Sequence, residues 1–186
     1  MNQIVQIVVR NLIGSGSSWF WTMATFFVIL LSLIFIYRQV RYQRYANMLS
    51  TLAHLDARWK STEMINARRH VCEDYEKNEK TIFQPEELLL AFFEEIGHYL
   101  RRRVFDVSIV WEFYSYYVDY YWVIVEPRIK EFRTSSHDKT WFSEFEFLAK
   151  QLAEYSKKRR ASTVEKTDEQ VRKFIQGELN KTTPSQ

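Results

Sequence analysis

Apolar positions recur every three or four residues along most of this chain, the spacing of helices with one buried side, and a single stretch departs from that pattern by being apolar all round. From Trp19 to Tyr37 the sequence WFWTMATFFVILLSLIFIY holds no charged residue, proline or glycine. At about 1.5 Å per residue it rises roughly 28 Å as a helix, close to the ~30 Å hydrocarbon core of a bilayer. The pattern predicts a transmembrane helix. Trp19 and Trp21 at one end and Tyr37 at the other are rings suited to headgroup level, Phe26, Phe27, Leu31 and Phe35 fill the span, and Arg38, Arg41 and Arg44 follow at once. A cleavable signal peptide fits less well, because the residues after Tyr37 are arginines and tyrosines where small residues are needed. The arginines predict that the C-terminal part lies in the cytoplasm and the short N-terminal part outside.

The remaining elements follow in order. Ile4, Ile7, Val8 and Leu12 have the spacing of a short amphipathic helix on a membrane surface, although the β-branched residues equally allow an extended segment. Residues 14–18 read as a flexible hinge. After the anchor no proline or glycine occurs until Pro85, so the membrane helix is expected to continue to about Glu76, with Tyr45, Met48, Leu52, Leu55 and Trp59 as a seam against its own domain. Glu76 to Thr81 is the first loop. A second helix starts at Pro85, carries the stripe Leu88, Phe92, Ile96 and Tyr99, widened by Leu89, Phe93 and Leu100, and ends in Arg101, Arg102 and Arg103. Asp106 is the expected N-cap of a third helix, Val107 to about Arg133, with Val110, Phe113, Tyr117, Tyr121 and Ile124 facing inward and a kink or interruption at Pro127. Asp106, Glu112 and Asp119 argue against a second span there, and the length of the run argues against a strand. A fourth helix, Lys139 to about Lys158, presents Trp141, Phe145, Leu148, Leu152 and Tyr155. Thr167 and Gln170 form a capping box for a short helix with Val171, Phe174 and Ile175, and the tail from about Asn180 reads as disordered.

Composition sharpens this picture. Aromatic residues make up 17% of the chain while glycine and proline number 4 and 3, which favours long helices with bulky cores over a turn-rich β fold. The expected class is all-α: a single N-terminal transmembrane helix continuing into a cytosolic bundle of about four helices. The expected divisions are 1–18, a short extracytoplasmic or interfacial segment; 19–37, the span; 38–160, the cytosolic helical domain; and 161–186, a weak helix and tail. The net charge of +3 with interspersed signs argues against nucleic acid as a partner. Cys72 stands alone, so no internal disulfide and no Cys/His zinc spacing is available.

Candidate chemistry is thin. Glu95 and His98 form one Glu-x-x-His pair, whereas a di-iron bundle needs two, and neither a nucleophile elbow nor a phosphate-cradling glycine loop is present. The expectation is no enzyme, no metal and no cofactor. Two basic runs, Arg101 to Arg103 and Lys157, Lys158, Arg159 and Arg160, are candidates for an anionic ligand or the anionic leaflet, with helix-end solvation the simpler account. Eight rings fall within the twelve positions from Trp111 to Trp122, more than one buried face can hold. Tyr114, Tyr116, Tyr120 and Trp122 are therefore candidate contacts with a second copy or another protein.

The run Phe92-Phe93-Glu94-Glu95-Ile96-Gly97, then Trp122, Arg133 and the stretch WFSEFEFLA from Trp141 to Ala149, resembles an uncharacterised bacterial family of unknown function. The likeness spans roughly Tyr45 to Tyr155 and implies a membrane helix followed by a compact helical cytosolic region, with no activity attached. The functional expectation is a single-pass membrane-anchored interaction or scaffold protein that self-associates and recruits or senses a cytosolic partner. Its alternative is a ligand-gated membrane-disrupting effector of a phage-defence or stress system.

Overall fold

The computed structural model describes residues 2–13, 18–77, 84–160 and 166–181. Of these, 88% are helical and none lies in a strand, so the chain is all-α. Seven helices are described: α1 Asn2–Ile13, α2 Ser18–Trp59, α3 Thr62–Glu76, α4 Gln84–Arg101, α5 Val107–Ser135, α6 Ser143–Arg160 and α7 Asp168–Leu179. Of the hinge expected at residues 14–18, Ser18 begins α2, while residues 14–17, most of the first loop and the tail beyond residue 181 lie outside the described residues. The chain divides into two units, 1–51 and 52–186.

The first unit holds α1 and the greater part of α2. Its apolar stretch has no protein cover: Phe26, Phe27, Leu31 and Phe35 are all exposed, as are Trp19, Trp21 and Tyr37. Thr22, Thr25 and Ser32 turn their hydroxyls back to the carbonyls four residues earlier, so these three hydroxyls are satisfied within the helix.

The second unit is a bundle of α3 to α7 with the last turns of α2. The expectation of one helix running to Glu76 is corrected here. α2 ends at Trp59, and Ser61, in extended conformation, accepts a hydrogen bond on Oγ from the Met64 amide to start α3. A side-chain cap alone makes this break, without proline or glycine. Only Leu55 and Trp59 of the expected seam are buried, while Tyr45 is exposed.

α4 and α6 run antiparallel in close contact, because Arg101 at the end of α4 meets Glu144 at the start of α6. α5 and α6 form an antiparallel hairpin: Trp111 Nε1 donates to Ser156 Oγ at one end, and Arg133 bonds Glu146 at the other. α7 opens with the expected capping box, Thr167 with Gln170, and buries Val171, Phe174 and Ile175. It is held to α3, since Arg68 lies 3.7 Å from Glu178 with both side chains buried and Arg69 donates to the Lys181 carbonyl.

Two corrections concern bulky helices. Pro127 does not interrupt α5, which continues to Ser135 with the proline inside it. Of the expected inward stripe Val110, Tyr121 and Ile124 are buried, but Tyr114, Val118 and Val125 complete the inner face, whereas Tyr117 is half-buried and Phe113 is 55% exposed. Asp106 occupies the N-cap position of α5 but makes no side-chain cap bond. α6 begins at Ser143, four residues later than expected, and Trp141 is exposed before it.

Candidate functional site

The aromatic residues converge on Trp59, the last residue of α2. Its ring lies 5.2 Å from Phe92, 5.7 Å from Phe93 and 4.7 Å from Tyr117, with Tyr114 and Tyr121 edge-on at 6.3 and 6.4 Å. The Arg68 guanidinium sits over the same ring, 4.3 Å from its centroid. Burial pushes the Tyr114 hydroxyl up to about 12, and it holds Tyr121 well above the ordinary tyrosine range, Glu178 adding to the effect. Cys72 is buried nearby in α3, and loss of water raises its thiol to about 12.

The residues that carried the family resemblance meet in space at the start of α6. Phe142 takes a left-handed conformation, φ 56°, which costs a bulky residue on the order of 1 kcal/mol or more. Contacts made by the residues on either side hold this turn. Glu94 of α4 accepts the Phe145 amide at 2.6 Å, capping α6 from another helix. Its carboxyl is raised from the ordinary value by burial, an effect opposed by the Phe145 and Glu144 amides. Arg133 donates from Nε to the Trp141 carbonyl and from Nη1 to Glu146, whose carboxyl is lowered by Lys150 first and Arg133 second. Phe145 stacks on Phe93 at 4.7 Å, with Trp122 against its edge at 5.2 Å. Gly97 lies under the crossing, where an added Cβ would stand 2.1 Å from the Glu144 carbonyl oxygen. The motif is a helix-crossing lock.

The expected ligand and contact residues are distributed differently. Glu95 accepts from Arg58 and from the Tyr99 hydroxyl, while His98 is exposed on the same helix. No cluster of three His, Cys, Asp or Glu side chains suited to a metal occurs among the described residues. In the first basic run, Arg101 pairs with Glu144 and covers the Phe147 ring at 4.0 Å, and Arg103, φ 56°, closes α4 in a left-handed turn in which the Val104 amide reaches back to the Tyr99 carbonyl. Arg102 and Arg103 remain exposed. In the second, Lys157 and Lys158 are exposed and Arg159 leans on Trp111 and Glu112. Since α4 and α6 are antiparallel, the two runs sit at opposite ends of the bundle, about 20 Å apart along α6. They do not form one site.

Of the four candidate contact rings, Tyr114 and Tyr120 are corrected to core positions, 4% and 9% exposed. Tyr120 is covered by Phe174, stacked at 4.6 Å, and Trp122 is half-buried on Phe145. Tyr116 is 56% exposed, and it shares an outer stripe with Phe113 and Val123, each exposed. Sequence reasoning assigned Phe113 inward; with rings at two positions in three, the periodicity that separates faces is weak. A further feature without any sequence signal is a cleft of about 660 Å³ between α3, α5 and α7, lined by Tyr75, Ile124, Arg128 and Arg172 among others. Arg128 is buried there and lies 2.7 Å from the buried carboxylate of Glu86.

Fold and contacts together define an all-α protein with one helix, Ser18–Trp59, long and apolar enough to cross a membrane, joined in sequence to a helical bundle. The chain belongs to the family described as Domain of unknown function (DUF4760), whose profile matches residues 21–152. Neither the curated proteins nor the solved structures contain a match to it.

Proposed function

We propose that this protein is a single-pass membrane-anchored interaction protein that self-associates through the outer face of α5. Two features support the reading. The anchor stretch is wholly without protein cover, the state of a helix whose solvent is lipid. The carrying observation for self-association is the outer stripe of Phe113, Tyr116 and Val123, whose spacings of three and seven keep them on one helix face, large apolar groups that an isolated domain gains nothing by exposing. Arg38, Arg41 and Arg44 orient the span with the bundle on the cytoplasmic side of a bacterial inner membrane. In this reading the anchored bundle recruits or senses a cytosolic protein at the membrane.

Phe113→Ala with Tyr116→Ala tests the contact in the detergent-solubilised full-length protein. The expected result is a wild-type mass above that of a monomer and association weakened about tenfold or more in the double variant, with far-UV circular dichroism unchanged. A monomer in both proteins would remove the self-association reading. The cleft beside Arg128 and Arg172 favours a second reading, a ligand-gated membrane effector. Ligand-dependent leakage from liposomes would select it over the scaffold.

A further inference from the structure

We infer that α1 is an interfacial helix, lying in the headgroup layer on the opposite side of the bilayer from Arg38, Arg41 and Arg44. The inference rests on the reading of α2 as a membrane span and adds a second, separate contact with lipid. α1 is helical from Asn2 to Ile13, so the extended alternative for this segment is set aside. Its length is about 18 Å at the usual helical rise. Ile4, Val5 and Val8 share one side of it and are 74%, 56% and 49% exposed, Ile7 of the expected stripe is 60% exposed at its margin, and Gln3 and Gln6 occupy the other side.

Connectivity chooses lipid over water or another protein as the cover for that apolar side. Five peptide steps separate Ile13 from Ser18, so their Cα atoms are at most about 18 Å apart whatever path the chain takes between them. With Trp19 and Trp21 at headgroup level, α1 is confined to the immediate neighbourhood of the same bilayer surface. A short helix with an apolar side, held there by its own chain, meets lipid at a high effective concentration and places that side against the acyl boundary. The segment 2–13 carries one basic residue, Arg10, and no acidic one, so no charge opposes contact with anionic headgroups. An interfacial α1 fixes how deep the span sits and resists its movement along the bilayer normal.

Nitroxide labels on cysteines introduced singly at Gln3, Ile4, Gln6, Val8 and Ile29 test this in the full-length protein, reconstituted in phosphatidylcholine and phosphatidylglycerol vesicles. The buried Cys72 thiol does not compete for label in the folded protein. The expected result is an oxygen-to-nickel accessibility ratio at Ile4 and Val8 several-fold above that at Gln3 and Gln6, with Ile29 deepest. Equal, water-like ratios at the four α1 positions with Ile29 immersed would overturn the inference and leave the span intact. Protection of Ile4 and Val8 from both oxygen and nickel would also overturn it, in favour of cover by a second copy. A water-like Ile29 would instead defeat the reading of α2 on which the inference rests.

Discussion

Trp59→Ala lowers the unfolding free energy of the helical bundle by about 3–5 kcal/mol, the range for truncating a large buried aromatic. The side chain is 7% exposed and touches rings from α4 and α5, so alanine leaves a cavity that three packed helices cannot close without moving. The Arg68 guanidinium also loses the ring face beneath it. Val104→Ala is the control. It truncates a side chain that is 43% exposed and lies outside the contact face proposed on α5, and it is expected to change stability by roughly 0.5 kcal/mol or less. Chemical denaturation of the detergent-solubilised protein, followed by near-UV circular dichroism, reads both. Equal effects from the two variants would mean that Trp59 is not the centre of the core.

The second large effect belongs to a hydrogen atom. Gly97→Ala places a methyl group 2.1 Å from the Glu144 carbonyl oxygen and 2.6 Å from its carbon, both of them backbone atoms. A flexible side chain could swing away; the first turn of α6 cannot, since Glu94 and Arg101 hold it to α4. The helices must separate, which pulls Phe145 off Phe93 and the Phe145 amide off Glu94. The expected loss is about 3 kcal/mol, at the upper end of overpacking effects. Gly177 in α7 supplies the opposite sign, because nothing lies within 4 Å of its added Cβ. Gly177→Ala should stabilise by about 0.5–1 kcal/mol through helix propensity and a less flexible unfolded chain. Thermal melts of the two variants beside wild type check the pair; a harmless Gly97→Ala would contradict the close crossing of α4 and α6.

How far the sequence revealed this architecture depended on the contrast between helix faces. α4 was legible, because Leu89, Phe92, Phe93 and Ile96 stand against acidic neighbours, and all four are buried. The capping box at Thr167 is a local device and was visible as one. α5 was not, since aromatic rings on every side leave its orientation to the partners, and Trp59 and Phe174 arrive from distant segments. The break at Ser61 hid because serine caps helices yet also sits inside them, so its role appears only once Met64 has its amide turned toward it. In the sequence Glu94 stands only as one acidic residue of the run Phe92 to Gly97. Its work as a cap lies 51 residues away in α6, a pairing that no local pattern encodes.

The claim that organises the rest is that residues 19–37 live in lipid. Alkaline carbonate extraction of membranes from cells expressing the full chain tests it directly, with Ile29→Arg and Leu31→Arg as the paired variant, charges that cost about 2.5–3.5 kcal/mol each at a span's centre. The wild-type protein is expected to stay in the membrane pellet and the variant to move to the supernatant. Wild-type protein released by carbonate would contradict it.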